Sequence, residues 1–173
     1  LAAPGALGHD RNPERCGIEI ALQGGKRIVG AAIDVHRRRR GSRSTATAGD
    51  LNLLAGSQLN AQGTAQTFAD TTVFASGGQV VLESRGGNVT QNAADAETQK
   101  AAAVIDVSGA SDAAGNGGHA GALSVVASGT ASLGGAIDAA AGSAAAKGGR
   151  FSLDAGSIAN LNVLAAKMGS SGF

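Results

Sequence analysis

The chain has 173 residues, enough for one domain or for a piece of a larger protein. It contains 28 Gly, four Phe, no Trp and no Tyr, so its core is built from small aliphatic side chains rather than from aromatic rings. The single cysteine, Cys16, excludes an intrachain disulfide and a Cys/His metal site. Because the chain begins with Leu1 and ends at Phe173 without an evident cap, we expect a fragment.

The first 43 residues differ in charge from the rest. Residues 1–43 hold nine basic and four acidic residues, whereas residues 44–173 hold five basic and nine acidic residues. We therefore divide the chain into a basic N-terminal segment, 1–43, and a repeat region, 44–173. The segment is interpreted as a degenerate repeat, since Ile33-Asp34-Val35 resembles Ile105-Asp106-Val107, or as a poorly ordered end.

Arginines are concentrated at the end of the basic segment, at Arg37, Arg38, Arg39, Arg40 and Arg43. Such a run has the charge to bind phosphates. No aromatic residue lies within it, however, and no nucleic-acid-binding motif surrounds it. We interpret the run as a solvated tail and expect no nucleic-acid partner.

A short phrase recurs along the repeat region: glycine, alternating apolar residues, a small or acidic residue, and often glycine again. Alternation with period two places each apolar pair on one face of a strand. A second apolar position follows each pair at Leu59, Val89, Leu133 and Ile158, and a third follows in some copies at Ile105/Val107, Ile137 and Leu161/Val163. The pairs are Leu51/Leu53, Val80/Leu82, Leu123/Val125 and Phe151/Leu153.

Tandem copies of short strands favour a right-handed parallel β-helix, in which equivalent positions stack about 4.8 Å apart. A sandwich and a barrel are the other folds that such strands form. The Gly-Gly pairs are predicted to make tight corners with positive φ. Residues 92–103 are predicted to form a loop with one or two helical turns, and residues 108–120 and 139–148 to protrude from corners.

Three segments resemble the repeats of filamentous-haemagglutinin-like exoproteins of two-partner secretion. The resemblance covers roughly residues 45–173 and implies an all-β parallel β-helix in a secreted or cell-surface filament that serves in adhesion and virulence. It also implies an outer-membrane transporter partner for the full-length protein and a host receptor or glycan as ligand. The segments are Val104-Ile105-Asp106-Val107-Ser108-Gly109, Gly134-Gly135-Ala136-Ile137-Asp138-Ala139 and Gly148-Gly149-Arg150-Phe151-Ser152-Leu153-Asp154-Ala155-Gly156.

Three acids, Asp106, Asp138 and Asp154, follow apolar strand residues. Asp106 and Asp138 are expected to stack on one face, where β-helical polysaccharide hydrolases and lyases place an acid/base pair. The alternative is that each aspartate caps a turn at a strand end. No basic residue adjoins Asp106 or Asp138 in the repeats, so we favour the capping role and predict no enzyme, no catalytic residue and no cofactor.

Three further motifs are weak. Residues 112–118 have the Gly/Asp character of a calcium loop but lack a calcium-binding repeat. Residues 115–120 match a loose dinucleotide-binding string, yet they lead into a predicted strand instead of a helix, so His119 is interpreted as an exposed loop residue. Asn88-Val89-Thr90 matches the glycosylation sequon, which occurs often by chance.

The function predicted from the sequence is that of a structural shaft segment in an adhesive surface filament. The alternatives are a carbohydrate-active β-helix enzyme and a non-adhesive stalk that carries a distal toxin domain. Any binding is expected from loops 92–103, 108–120 and 139–148. No stretch approaches the roughly 18–20 apolar residues of a membrane-spanning helix, and residues 1–30 lack the pattern of a signal peptide.

Overall fold

The structure, a computed structural model, describes residues 32–34, 41–46 and 49–173. Strands account for 44% of these residues, which also include one short helix, α1 (Leu161–Ser170). The strands are β1 (Ala32–Asp34), β2 (Gly41–Ala46), β3 (Leu51–Leu53), β4 (Gln58–Asn60), β5 (Ala65–Phe68), β6 (Thr71–Phe74), β7 (Gln79–Ser84), β8 (Val89–Gln91), β9 (Val104–Asp106), β10 (Ala122–Leu133), β11 (Ala136–Asp138) and β12 (Arg150–Ile158).

Most strands belong to two parallel sheets. The larger sheet has the order β1-β2-β7-β10-β8-β3, with β12 also paired to β10, and it is nearly closed like a barrel. The smaller sheet has the order β11-β9-β4. Strands β5 and β6 form a separate antiparallel hairpin, and β1 is antiparallel to β2. The prediction of a mainly β chain with parallel sheets is therefore confirmed.

The chain passes through the same sheet positions four times. The first pass runs through β2, β3 and β4, the second through β7, β8 and β9, and the third through β10 and β11. The fourth pass runs through β12 and ends in α1. Strands of successive passes pair in parallel: β2 with β7, β7 with β10 and β10 with β12 in one stack, and β4 with β9 and β9 with β11 in another.

The predicted equivalence of the apolar pairs is confirmed for three of the four pairs. Val80, Leu123 and Phe151 are register partners, as are Leu82, Val125 and Leu153. The predicted equivalence is wrong for the fourth pair, Leu51/Leu53. Leu51 pairs with Val89 and Leu53 with Gln91, so this pair belongs to the neighbouring stack. The partners of β7 in the first pass are the residues of β2. Both stacks carry the same glycine-and-alternation phrase, so the phrase alone does not distinguish them.

The core lies between the sheets and consists of small aliphatic side chains, as the composition predicts. Almost all are less than a tenth exposed, and Val80, Leu82, Val89, Ile105 and Val125 have no exposed surface. Burial of a side chain of this size contributes about 1.5–3 kcal/mol by transfer from water. The other members include Leu51, Leu53, Leu59, Ala61, Ala103, Val107, Leu123, Ala127, Ala131, Leu133 and Ala139.

The Gln91 side chain is polar, yet it lies inside this core with 1% exposure. Its Nε2 donates to the backbone oxygens of Ala103 and Ala136, both at 2.9 Å. These bonds join the second pass to the third at the corner that precedes the smaller sheet. The amide oxygen Oε1 is buried without a partner, which costs free energy relative to a satisfied amide.

The Gly-Gly pairs lie at corners, but the prediction of positive φ there is wrong. The described glycines with positive φ are Gly49, Gly56, Gly115 and Gly172. The paired glycines are instead required by close approach of neighbouring passes. A Cβ on Gly77 would lie 2.0 Å from the backbone oxygen of Val107. Stacked backbones therefore exclude side chains at these corners.

The last predicted strand, at Leu161/Val163, is wrong, because these residues begin helix α1. Asn160 is the N-cap residue, and its Oδ1 accepts a hydrogen bond from the Val163 amide at 3.1 Å. Leu161 and Val163 are 61% and 59% exposed. A spacing of two favours a strand, whereas the buried face of the helix is formed by Leu164 and Met168, which are spaced by four.

Helix α1 covers the end of the core beside β11. Leu164 and Met168, one helical turn apart, are its buried residues. The Lys167 Nζ donates to the backbone oxygens of Leu133 at 2.8 Å and Gly135 at 2.7 Å. Partial burial lowers the pKa of Lys167 from its usual value. The helix thus satisfies carbonyl groups at the end of β10 and in the connection to β11.

The predicted boundary between residues 43 and 44 falls inside β2, which runs from Gly41 to Ala46. The division at that boundary stays a prediction. Of the predicted N-terminal repeat, Ala32–Asp34 forms β1 and pairs antiparallel with β2. Cys16 and the arginine run at 37–40 lie outside the described residues.

Candidate binding surface

The polar residues that end the strands of the smaller sheet form a column. Asn60, Asp106 and Asp138 are register partners in β4, β9 and β11. The stacking predicted for Asp106 and Asp138 is therefore confirmed, and their backbones are separated by the strand spacing of about 4.8 Å. Each side chain directly follows a buried apolar residue or one packed against the core, so the inward-facing residue fixes the outward direction of the next.

Each member of the column caps the turn that follows its strand. The Asp106 Oδ1 accepts from the Ser108 amide at 2.9 Å and from the Ser108 hydroxyl at 2.6 Å. The Asp138 Oδ1 accepts from the Ala140 amide at 2.9 Å, and the Asn60 Oδ1 accepts from the amide two residues later at 3.0 Å. The capping role predicted for Asp106 and Asp138 is therefore confirmed.

Asp154 does not join this column. It lies within β12 of the larger sheet, where its register partner in β10 is Val126. Its side chain is exposed in mid-strand rather than at a turn, so the prediction that it caps a turn is wrong. The structure brings together two of the three predicted acids and leaves the third in another sheet.

A groove of about 480 Å³ lies beside the column, and its walls are mainly polar and small. Asp106 and Asp138 contribute to one side. The remaining wall comes from the loop after β4 and the loop after β9. The lining residues are Gln62, Gly63, Thr64, Ala65, Asp106, Ser108, Gly109, Ala110, Ser111 and Asp138.

A second cleft, of about 710 Å³, lies where three segments protrude next to one another. One wall is the β5–β6 hairpin, at Thr72 and Phe74, and the others are the loops at 112–117 and 143–145. The two loops contact directly, since the Gly142 amide donates to the Gly118 oxygen at 2.9 Å. The predicted loops 108–120 and 139–148 thus share one surface, which we call the loop face.

The loop at 112–116 is closed on itself by one carboxylate. The Asp112 Oδ1 accepts from the Ala114 and Asn116 amides at 3.0 and 2.9 Å, and its Oδ2 accepts from the Asn116 Nδ2 at 3.1 Å. The bonds to Asn116 hold the pKa of Asp112 below its usual value. Across the described ranges no group of three or more His, Cys, Asp and Glu is placed to hold a metal ion.

Sequence reasoning missed the β5–β6 hairpin, the most exposed element of the loop face. Ala69, with φ of 49°, and Asp70 connect its two strands. Phe68 and Val73 are 58% and 53% exposed. The register pairs Phe68 with Thr71, so Val73 lies two residues beyond that partner on the same face. Both faces of the hairpin are exposed to water, which explains the absence of the alternation that indicates a half-buried strand.

The loop at 92–103 lies at a different corner, between the larger sheet and β9. The bonds of Asp95 to Thr98 lower the pKa of this carboxyl, and its backbone pairs with Lys100. The one or two helical turns predicted here are wrong, because the segment forms a capped turn instead. Of the three predicted binding loops, this one is separate from the loop face.

The remaining motifs serve local structure. His119 is exposed, and its Nδ1 accepts from the Lys147 amide at 2.9 Å. The segment that follows it leads into β10 as predicted. The Asn88 side chain of the sequon donates to the Asp50 Oδ1 at 3.0 Å and accepts from the Thr130 amide at 2.7 Å. It therefore joins three passes at one corner.

Comparison with models of known families, with curated proteins and with solved structures finds no match to this chain. In the part of the chain that the structure describes, no helix is both long and apolar enough to cross a membrane.

Proposed function

We propose that the chain is a shaft segment of a secreted bacterial surface filament, built as a right-handed parallel β-helix and used in adhesion. The observation that carries this proposal is the register of successive passes. Leu59, Ile105 and Ile137 pair in one stack, and Val80, Leu123 and Phe151 in another. Each pass covers the apolar side chains of the one before, which is how repeat proteins extend a core in one dimension.

The handedness follows from a general rule. Parallel strands in one sheet are joined by right-handed crossovers in about 98% of cases. The connection from β7 to β10 runs through β8 and β9, and that from β10 to β12 runs through β11. Both are crossover connections between parallel neighbours of one sheet, so the rule predicts that they are right-handed.

The loop face supports a binding role. It combines a groove with polar walls, a second cleft and a hairpin that exposes Phe68 and Val73. Loops on a rigid scaffold are the usual carriers of recognition. We propose a host receptor or glycan as ligand, and secretion through an outer-membrane transporter as the route of the full-length protein.

The adhesion proposal is tested with beads that carry the full chain, applied to cultured epithelial cells and to a glycan array. We expect saturable binding that falls at least about tenfold in the double variant Phe68→Ser/Val73→Thr. A matched control, Leu161→Ser/Val163→Thr, changes two equally exposed aliphatic residues away from the loop face. If beads that carry the folded chain bind neither cells nor glycans, the result would instead favour a non-adhesive stalk that carries a distal toxin domain.

The second candidate is a carbohydrate-active enzyme, which the stacked pair Asp106 and Asp138 favours. Retaining glycosidases place two carboxyl groups about 5–5.5 Å apart, close to the spacing of neighbouring strands. In this structure an oxygen of each carboxylate is bonded to the following turn. The enzyme hypothesis predicts polysaccharide cleavage that disappears in Asp106→Asn/Asp138→Asn, whereas a shaft predicts no cleavage in either protein.

A further inference from the structure

Strand β12 presents an open edge at one end of the larger sheet. It pairs with β10 along one side. On the other side no strand among the described residues pairs with it. It is nine residues long, and a strand edge of this length is a template for pairing with another chain unless something covers it.

The inward-facing side chains of β12 are less covered than their equivalents in β10. Phe151 and Leu153 are partly exposed, whereas their register partners Leu123 and Val125 are 1% and 0% exposed. The Phe173 ring contacts the Phe151 ring with centroids 5.7 Å apart, which covers one end of this row only. Addition of another strand to β12 would bury the remainder.

The outward-facing side chains of β12 identify the strand that fits. Arg150, Ser152 and Asp154 are all exposed, and neither charged residue has an ion-pair partner in the described ranges. Arg150 lies two residues before Ser152 and Asp154 lies two residues after it, so the two opposite charges are placed symmetrically about Ser152 along the strand. If a second copy of β12 runs antiparallel about a two-fold axis at Ser152, each Arg150 faces Asp154 of the partner subunit.

The direction of the backbone amide and carbonyl groups of β12 fits this antiparallel arrangement. The Arg150 amide donates to the Gly121 oxygen at 3.0 Å, so Arg150 and the alternate residues after it turn their amides and carbonyls toward β10. Phe151 and Leu153 therefore turn theirs toward the open edge. About the axis at Ser152, Phe151 lies opposite the partner's Leu153, and the two can exchange both backbone hydrogen bonds. Arg150 and the partner's Asp154 then form a pair without such bonds, where side chains are closer.

We propose that β12 is an interface between two copies of this chain, paired antiparallel about Ser152. Parallel, in-register pairing would place Arg150 against Arg150 and Asp154 against Asp154, which is unfavourable. A two-fold interface is closed, so it yields a dimer rather than a fibre. The hydrogen bond from the Gly149 amide to the Gly172 oxygen, at 2.8 Å, marks one end of the open edge and confines pairing to the segment around Ser152.

The test uses single charge reversals and their mixture, with mass measured by sedimentation velocity. The wild type is expected to show a species of twice 16.7 kDa that increases with concentration. R150D places two carboxylates opposite each other at both ends of the pair, and D154R places two guanidinium groups there. We expect each variant to raise the dimer dissociation constant at least about tenfold. An equimolar mixture of the two variants restores complementary pairs and is expected to dimerise again.

The matched control is K100D/D70K, which reverses one exposed charge of each sign in segments outside β12 and should leave dimerisation unchanged. A wild type that stays monomeric at about 100 μM, with an intact β-type spectrum, would overturn the proposal. So would a dimer whose dissociation constant does not respond to R150D or D154R. A mixture that fails to dimerise when both single variants are folded would refute the antiparallel register.

Discussion

The stacked core predicts that the same substitution has different costs in different passes. Leu82 and Leu153 occupy equivalent positions in β7 and β12, both aligned with Val125 of β10. Leu82 has no exposed surface, whereas Leu153 is partly exposed at the open edge. Leu82→Ala and Leu153→Ala therefore remove the same atoms from two levels of burial.

The expected magnitudes follow from that burial. At Leu82 the change removes the full transfer free energy and leaves a cavity between neighbouring strands, so the free energy of unfolding should fall by about 3–4 kcal/mol. At Leu153 part of the side chain already contacts water, and the end of the stack can relax, so a loss of about 1–2 kcal/mol is expected. The difference, about 2 kcal/mol, is a substantial fraction of the roughly 5–15 kcal/mol by which a domain is typically stable.

The assay is urea unfolding followed by far-UV circular dichroism, at a protein concentration where sedimentation shows monomer. This condition matters because Leu153 also lies in the proposed dimer interface. Equal losses for the two variants, or a larger loss at Leu153, would refute the reasoning from stacked burial. A loss below about 1 kcal/mol at Leu82 would show that this position is not a packed core site.

Three further predictions use the same unfolding assay. Gln91→Ala should cost about 2–4 kcal/mol, because two buried hydrogen bonds and the packed side chain are lost; a neutral result would contradict the bonding of Gln91. Gly121→Ala should be strongly destabilising, since its Cβ would lie 1.8 Å from a backbone oxygen, whereas Gly169→Ala in open space on α1 should stabilise by up to about 1 kcal/mol. Asp95 and Asp112 have lowered pKa values, so their stabilisation is present above the usual pKa of 3.8 and is lost as pH falls through the lowered values. D95N/D112N should flatten the pH dependence of unfolding below pH 4, and an unchanged slope would count against the lowered values.

Alternation of apolar residues was sufficient to predict the strands with the strongest inward-facing pairs. Val80/Leu82, Leu123/Val125 and Phe151/Leu153 alternate regularly, and the structure aligns them as equivalent positions. The predicted alignment is wrong at Leu51/Leu53, because β3, which follows the corner after β2, has the same phrase but belongs to a second stack. Only the register between strands separates the two, and register depends on contacts that are distant in sequence.

The candidate site was less predictable than the fold. The turn-capping roles of Asp106 and Asp138 followed from their positions after apolar strand residues. The hairpin containing Phe68 and Val73 was not found, because neither of its faces is buried and no alternation marks it. Helix α1 had a usable signal in the N-cap Asn160 and in the spacing of its buried pair, but the competing strand pattern at its first turn obscured it.

The central claim, that successive passes stack in parallel register, is tested most directly by nuclear Overhauser effects in isotope-labelled protein. The account predicts methyl contacts that join Leu59 to Ile105 and Ile105 to Ile137, together with the amide-to-α-proton pattern of parallel strands. Contacts of antiparallel type between β9 and β11, or the absence of any contact between Ile105 and Ile137 in a folded sample, would contradict it.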